Sequence, residues 1–215
     1  MKITAIEGGM LPTNCYLLSD DATGKTAVID PGFDSPELEN AIQSVGDGNV
    51  SAILLTHGHF DHILGVNKVK SLTNAPVYIY SDDALFPSDN SLNLVDLFSS
   101  SKLEPFTVDV ALNDGDTIKV GNLRIKVIHT PGHTAGGCCY CVEDAIFTGD
   151  TLMKCSAGRT DFPTGSYSQI LSSLEKLKNL KGDYHLYPGH GEESTLEFER
   201  TNNPFLRKHI DDFDY

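Results

Sequence analysis

At 215 residues, 40% of them hydrophobic, this chain is long enough to bury a substantial core, and we expect a single domain over residues 1–215. Its formal net charge of −14, with no cluster of lysine and arginine, argues against nucleic acid and anionic membranes as partners. No apolar run has the length needed to cross a bilayer, and the first residues show no signal sequence, so the expected location is the cytoplasm.

The first half of the chain alternates short strands with helical segments. Ser35 followed by Pro36 is typical of an N-cap with proline in the first turn, and it predicts a helix that ends near Gly46. Apolar and alternating runs predict strands at Lys2–Glu7, Asn14–Ser19, a run beginning at Thr26, Val50–Thr56 and Val77–Tyr80.

The second half repeats the order of strands followed by a helix. Predicted strands lie at Thr117–Val120, Leu123–His129, Cys138–Val142, Ala145–Thr148 and Tyr184–Tyr187. A helix is predicted from about Ser166, because four leucines recur there at helical spacing: Leu171, Leu174, Leu177 and Leu180. The two halves together predict an α+β fold in which two sheets pack face to face with helices outside.

The stretch from Ser81 to Glu104 allows two interpretations. It is rich in Ser, Asp and Asn, and its apolar residues could form one face: Leu92, Val95, Leu97 and Phe98. A mobile flap beside the active site and a plain surface helix fit this pattern about equally.

The strongest functional signal follows the predicted strand that begins at Val50. Three histidines and one aspartate lie within six positions: His57, His59, Asp61 and His62. Imidazole and carboxylate are the usual ligands of borderline divalent metals. Side chains two positions apart at a strand end point the same way, so His57 and His59 can converge on one ion. Asp61 and His62 would then face a second ion nearby.

Three later segments follow the same order of strand, glycine turn and ligand-type residue. They place His133 after Pro131-Gly132, Asp150 after Thr148-Gly149, and His190 after Pro188-Gly189. Each segment alone is weak evidence, because a histidine beside glycine in a loop is often incidental. Together with the His57–His62 run they predict a metal site of seven residues.

This ordered set, preceded by Ile29-Asp30-Pro31-Gly32, resembles the metallo-β-lactamase superfamily from about Asn14 to Leu206. The resemblance implies an αβ/βα sandwich of two mixed sheets with two divalent ions at one edge; zinc is the expected metal, and iron or manganese are alternatives. It further implies a set of roles: His57, His59 and His133 hold the first ion, Asp61, His62 and His190 hold the second, Asp150 bridges them, and Asp30 orients ligands without binding metal itself.

Within the superfamily, Gly158–Phe162 and Asn203–Leu206 look like the short glyoxalase II-like hydrolases. That resemblance implies hydrolysis of a small-thiol, glutathione-type 2-hydroxyacyl thioester by a metal-bridging hydroxide, with Asp61 and Asp150 as catalytic residues. Arg159 lies about where these enzymes carry a basic residue toward glutathione, although an ion pair with Asp161 explains it equally well. The sequence stops before the helical extension of full-length glyoxalase II, so we do not expect a strict requirement for glutathione.

Other readings of the same motifs remain open. The string Gly158–Phe162 also resembles persulfide dioxygenases, which use this fold with a single iron. A non-catalytic metal-binding protein would be expected to lack ligands, and none of the seven is missing. A true β-lactamase usually varies the ligands of the second metal, and the acidic charge argues against the related nucleases.

The five cysteines leave one unpaired in any complete disulfide scheme, so we expect reduced thiols. Cys138 and Cys141 form a C-x-x-C pattern, but residues three apart on a strand point to opposite faces. We therefore expect buried thiols there rather than a bridge or a metal site. Cys155 follows Asp150 by five residues, which favours a thiol that lines the pocket.

Overall fold

The computed structural model describes residues 1–46, 48–98 and 102–207. Over these residues the chain forms two six-stranded sheets, a two-stranded hairpin and eight α-helices. No helix in this part of the chain is both long and apolar enough to span a membrane.

The first sheet is built by the N-terminal half and follows chain order from edge to edge. Its strands are β1 (Lys2–Gly8), β2 (Thr13–Ser19), β3 (Thr26–Ile29), β4 (Val50–Leu54), β5 (Val77–Tyr80) and β6 (Val110–Leu112). The first three strands pair antiparallel, whereas β3 to β6 pair parallel. Because β3, β4 and β5 run in one direction, their carboxyl ends meet at the same edge of the sheet.

The second sheet is built by the C-terminal half. Its strands are β7 (Thr117–Val120), β8 (Leu123–His129), β9 (Cys138–Val142), β10 (Ala145–Gly149), β13 (His185–Pro188) and β14 (Ser194–Thr195). The order across the sheet is β14-β13-β10-β9-β8-β7, and only the β10–β13 pair is parallel among the pairs described. Between β10 and β13 a separate hairpin is formed by β11 (Leu152–Met153) and β12 (Ser156–Ala157).

The helices lie along both halves of the chain. They are α1 (Pro36–Val45), α2 (Phe60–Ile63), α3 (Val66–Thr73), α4 (Asn90–Asn93), α5 (Val95–Phe98), α6 (Tyr167–Lys178), α7 (Leu196–Asn202) and α8 (Pro204–Arg207). The predicted cap of α1 is confirmed, because the Ser35 side chain accepts a hydrogen bond from the backbone N–H of Leu38.

Three buried clusters define the layers. The central cluster lies between the sheets and contains Leu18 and Leu54 from the first sheet with Tyr140 and Phe147 from the second. A second cluster covers the outer face of the first sheet with residues of α1 and α3. A third covers the second sheet with residues of α6. Helices therefore lie outside two packed mixed sheets, which confirms the predicted αβ/βα sandwich.

Strand β9 separates its cysteines as predicted. Cys138 packs into the central cluster, whereas Cys139 and Cys141 face the helix layer of the second sheet. All five cysteines are free thiols. Cys155 is different from the expectation: it is exposed at the turn between β11 and β12, with a φ of 54°, and it is not among the residues that line the pocket beside the metal cluster.

Some predicted boundaries were wrong for identifiable reasons. Strand β4 ends at Leu54 rather than Thr56, because the Thr56 N–H donates to the Asp30 carboxylate. Helix α6 ends before Leu180, since Asn179 caps it. The segment from Ser81 is a series of short helical turns rather than one surface helix, because Pro87 and the left-handed Leu94 (φ 67°) interrupt it.

Candidate metal centre

The strand ends of both sheets bring the seven ligand-type residues together at one edge of the sandwich. His57 and His59 lie on the loop after β4, while Asp61 and His62 lie in the one-turn helix α2 that follows it. The other three follow strands of the second sheet: His133 follows β8, Asp150 follows β10 and His190 follows β13. All seven positions singled out in the sequence therefore meet, although they span 134 positions of the chain, from 57 to 190.

The seven residues form three overlapping groups, and the potential ligand atoms within each group lie within 4.8 Å of one another. The groups are His57-His59-His133, His57-His62-Asp150 and Asp61-His62-His190. We call the first group the histidine triad and the last the aspartate triad. Asp150 lies between them, since its oxygens are 3.5 Å from Nε2 of His133 and 3.4 and 3.6 Å from Nε2 of His62 and His190.

Hydrogen bonds outside the cluster orient four of its five imidazoles. Nδ1 of His62 lies 3.0 Å from an Asp30 carboxylate oxygen, and Nδ1 of His133 and His190 lies 2.7 Å from a backbone carbonyl oxygen. Because these oxygens can only accept, Nδ1 carries the hydrogen in each ring. Nε2 is therefore the atom that each ring turns toward the cluster, the arrangement expected when ligands are held by outer partners.

His57 follows the same rule through a hydroxyl group. Thr56 Oγ1 donates its hydroxyl hydrogen to Asp30 Oδ2 at 2.6 Å. Thr56 Oγ1 is therefore the acceptor in its second contact, and His57 Nδ1 donates to it at 3.2 Å. The Nε2 lone pair of His57 is left facing the cluster, where this buried atom makes no hydrogen bond to any described residue.

The unpaired atoms test whether a metal fits. Among the described residues, the buried side-chain atoms without a hydrogen-bond partner are His57 Nε2, His59 Nε2 and Asp150 Oδ1, and all three belong to this cluster. In the histidine triad, His59 Nδ1 and His133 Nε2 face each other at 2.9 Å. Buried nitrogen and carboxylate atoms without partners are unfavourable unless a cation binds them, so these residues fit divalent ions.

Burial keeps His57 and His59 uncharged in the metal-free protein. Desolvation is the largest influence on His57 and His59, and the neighbouring histidines act in the same direction. The pKa of His57 is lowered well below its ordinary value, and the pKa of His59 is lowered to about 3. Both rings therefore offer lone pairs at neutral pH.

Carboxylates reverse this effect in the aspartate triad. Burial opposes the charged form of His62, but Asp150, Asp61 and Asp30 outweigh it and raise its pKa well above the ordinary value. The pKa of His190 is raised as well, because its hydrogen bond to Asp61 and the charge of Asp150 outweigh burial. When no ion is bound, both imidazoles therefore hold a proton to a higher pH than an ordinary histidine, and each lies beside a carboxylate.

Asp30 holds two residues of the loop and helix that carry the ligand-type side chains, Thr56 and His62. Its carboxylate accepts hydrogen bonds from Thr56 N, Thr56 Oγ1 and His62 Nδ1, at 2.6 to 3.0 Å. Its φ of 49° lies in the left-handed region, which aspartate tolerates better than most residues and which turns the chain at the end of β3. The resemblance implied that Asp30 orients metal ligands, and this role stays a prediction.

Glycine is required where the backbone approaches the cluster. A Cβ atom on Gly189 would lie 2.4 Å from Asp150 Oδ1 and 2.6 Å from His62 Cε1. A Cβ atom on Gly32 would lie 1.6 Å from the Asp61 carbonyl oxygen. The glycine turns noted in the sequence therefore make room for the ligand-type side chains.

A cavity of about 500 Å³ opens beside the cluster. Apart from ligand-type residues, its lining is apolar except for Arg159 and the backbone of Gly158: Leu11, Pro12, Leu94, Phe98, Met153 and Phe162. The sequence had singled out Phe98 and Phe162 only as parts of larger patterns. It offered no signal for Leu11 and Pro12, which lie between β1 and β2, or for Met153, which lies in β11.

The position of Arg159 is compatible with both interpretations that the sequence allowed, and its role toward a substrate stays a prediction. It lines the cavity, and its guanidinium makes two hydrogen bonds of 2.7 Å to the Asp161 carboxylate. The guanidinium carbon also lies 3.9 Å from the centre of the Phe162 ring. Its backbone carbonyl accepts the hydrogen bond from His133, so the same residue reaches the metal cluster through the main chain.

Comparison with known proteins places this geometry in a family. A model of the metallo-beta-lactamase superfamily matches residues 8–190. The hydroxyacylglutathione hydrolase GloC of Haemophilus influenzae is 32% identical over 210 residues, which cover 96% of this chain and 98% of that protein.

Solved structures agree over almost the whole chain. The structure of the BLEG-1 B3 metallo-beta-lactamase gives a TM-score of 0.87 at 32% identity, covering 96% of this chain and all of the other. TTHA1623 in a di-iron-bound form gives 0.82 at 32% identity, with 94% and 100% coverage. ETHE1 from Myxococcus xanthus gives 0.80 at 28% identity, with 99% and 88% coverage. The chain belongs to the metallo-beta-lactamase superfamily of metallo-hydrolases.

Proposed function

We propose that this protein hydrolyses thioesters of small thiols, with 2-hydroxyacyl thioesters of the glutathione type as the first candidates. The observation that carries the proposal is the composition of the cavity. Outside the seven ligand-type residues, Arg159 is the one ionisable side chain among its described lining residues, and a guanidinium does not release a proton at neutral pH. The described part of the cavity lining thus has no separate acid to protonate a leaving group.

The absence of a separate acid from this lining favours sulfur as the leaving atom. An amine cannot depart as an anion and needs a proton donor. A thiol has a pKa near 8.5, so a thiolate departs without prior protonation. Among the ester-like and amide-like substrates that a hydrolase could cleave, thioesters make the smallest demand on this cavity.

The seven residues divide the work of holding two ions. The histidine triad would hold one, the aspartate triad the other, and Asp150 would contact both. Bound divalent ions supply hydroxide at neutral pH and stabilise the negative charge that develops on a carbonyl oxygen. Asp61 and Asp150 lie at the cavity wall, where their carboxylates can orient the attacking oxygen toward the substrate.

Arg159 supports a thiol that carries a carboxylate. Its side chain is 55% exposed and faces the cavity, and its charge is shared with Asp161. It therefore suits one anionic group held loosely at the rim rather than a strict requirement for one thiol. The similarity to the hydrolase GloC supports the glutathione type, and zinc is the proposed metal, although the di-iron form of TTHA1623 makes iron a necessary comparison.

The runner-up is an iron-dependent persulfide dioxygenase, supported by the string Gly158–Phe162, whose Arg159 and Phe162 side chains line the cavity. The two functions differ in stoichiometry as well as in reaction. A hydrolase of the proposed kind uses two ions and no oxygen, whereas the dioxygenase uses one iron and consumes oxygen.

The test compares zinc-loaded and iron-loaded protein on one set of substrates. We would measure kcat/KM for S-lactoylglutathione, a second acyl thioester, a β-lactam and a phosphodiester, with oxygen uptake on glutathione persulfide in parallel. We expect the thioesters to be hydrolysed fastest, with close to two ions per chain. Oxygen consumption with negligible thioester cleavage would establish the runner-up, and faster cleavage of the β-lactam would show that the leaving-group argument is wrong. A fully loaded protein inactive on every substrate would instead support a non-catalytic metal-binding role.

A further inference from the structure

Asp83 is a buried carboxylate that the sequence did not single out. It lies in the short 3₁₀ turn Ser81–Asp83 at the end of β5 and is 0% exposed. Oδ2 accepts hydrogen bonds from the Gly58 N–H at 3.0 Å and the Thr134 hydroxyl at 2.7 Å, and Oδ1 accepts one from the Gly136 N–H at 2.7 Å. The described structure pairs it with no lysine or arginine, so these donors are what stabilise it.

These contacts join the two loops that build the histidine triad. Gly58 lies between His57 and His59, while Thr134 and Gly136 lie in the loop that begins at His133. The two loops come from different sheets, 74 positions apart between His59 and His133. Asp83 is thus bound to both sides of one proposed ion site.

The close approach of the turn to both loops is built into the backbone. A Cβ atom on Gly136 would lie 2.5 Å from Asp83 N and 2.6 Å from its carboxyl carbon. A Cβ atom on Gly58 would lie 2.3 Å from Cβ of Phe86, which follows Asp83 by three residues. Glycine at these two positions lets the segment after β5 sit directly against the loops that carry the imidazoles.

We propose that Asp83 is a positioning residue for the ion held by His57, His59 and His133, because it fixes the distance between the loops that carry them. The inference rests on the proposed metal site but not on the thioester substrate. The aspartate triad has its own support from Asp30 and Pro12, and Asp83 makes no hydrogen bond to it among the described residues. Loss of Asp83 should therefore weaken one ion selectively.

A carboxylate is needed because three donors converge on it. An asparagine at this position has one acceptor oxygen and one amide nitrogen. Whichever way the amide is turned, one of the two backbone N–H groups, that of Gly58 or that of Gly136, faces another N–H group. Asp83→Asn therefore releases one loop while changing the volume of the side chain very little.

The experiment measures the affinity of each ion by competition with a chelator, using Co²⁺ and Zn²⁺, in Asp83→Asn, Asp83→Ala and Thr134→Val. Asp82→Asn is the matched control, since it changes an exposed carboxylate in the same turn, and Thr134→Ser tests whether a hydroxyl restores the contact. Each change is also made in the His190→Ala background, where the histidine triad should hold the remaining ion. Circular dichroism of the metal-free proteins measures folding separately.

We expect Asp83→Asn to weaken the ion of the histidine triad by roughly 10- to 100-fold, the range typical of lost contacts behind metal ligands, and to alter the Co²⁺ absorption spectrum. Thr134→Val should show a smaller effect in the same direction, Thr134→Ser should be close to the unmodified protein, and Asp82→Asn should be unchanged.

If both ions weaken equally in folded protein, or if neither does, Asp83 is not a positioning residue for this site. If Asp83 variants do not fold, Thr134→Val decides alone: an unchanged affinity overturns the proposal. None of these outcomes depends on thioester turnover, so failure of the proposed substrate would not be confused with failure of this inference.

Discussion

The histidine triad and the aspartate triad lie at the same edge of the sandwich, but they differ in chemistry. The histidine triad has no carboxylate of its own, and its residues are 2% to 5% exposed. The aspartate triad contains Asp61 and reaches the rim of the cavity at His190, whose side chain is 25% exposed. One end is buried and offers the lone pairs of His57 and His59, and the other is a charge-paired set in which His190 reaches solvent while His62 is buried.

This difference predicts how each end meets a cation. Burial already keeps His57 and His59 unprotonated, so neither ring has to release a proton before an ion binds. In the aspartate triad the raised pKa values of His62 and His190 favour protons that an ion must displace. We therefore expect a tight first ion in the histidine triad and a weaker, exchangeable second ion at the rim.

The largest expected effect comes from the residue that both ends share. Asp150→Ala removes the oxygens that lie between the two triads, so we expect both ions to be lost and thioester turnover to fall to background. Elemental analysis and kcat/KM measure this together, with Asp144→Ala as the control because that aspartate is exposed beside the same strand. Retention of two ions in folded Asp150→Ala would contradict its bridging position.

Removing one histidine from each end tests the difference directly. His190→Ala should keep one tightly bound ion, because the buried triad is intact. His59→Ala should lose that ion, with an affinity loss larger than the roughly 10- to 100-fold typical of a supporting contact. His185→Ala is the control, since this histidine is exposed and outside the cluster. Equal losses from both variants would show that the two ends are not distinct.

Proton competition predicts a stronger pH dependence for the second ion. The pKa values of His62 and His190 are raised in the metal-free protein, so protons on these rings compete with an ion up to a higher pH than on an ordinary histidine. The affinity of the second ion should rise with pH until it passes these raised values. The pKa of His59 is lowered to about 3, so near neutrality that ring adds no pH dependence to the first ion. Stepwise metal titrations between pH 6 and 9 measure both constants, and the reverse order of sensitivity would contradict the comparison.

The smallest effect is expected from the side chain of Arg159. Its backbone carbonyl still holds His133 after Arg159→Ala, so metal content should not change. If the guanidinium holds a carboxylate of the substrate, KM should rise about fivefold with little change in kcat, equivalent to about 1 kcal/mol for an exposed charge contact. Lys154→Ala is the control, because that exposed lysine does not line the cavity. A lower melting temperature with unchanged kinetics would assign Arg159 to its ion pair with Asp161 alone.

Strand positions were predictable where side-chain patterns are local. Leu123–His129 and Cys138–Val142 were placed with their observed bounds, because apolar runs and alternation report directly on buried faces. Helix α3 and strand β6 were not predicted. Strand β6 is only three residues long, which is too short for an apolar run or an alternation to identify a strand.

The sequence by itself determined which seven positions meet at the edge of the sandwich, since ligand-type residues after strand ends converge wherever parallel strands share an edge. It also determined that glycine would surround them, and their role as metal ligands stays a prediction. Only the tertiary structure decided which groups donate hydrogen bonds to Asp83, because these groups lie 25 to 53 residues away from it in the sequence. The apolar lining of the cavity was decided in the same way, since Leu11, Met153 and Phe162 come from distant parts of the chain that the packing of two sheets brings together. Metal ligands carry their chemistry in the residue type, whereas a buried carboxylate or a pocket wall acquires its role only from its neighbours.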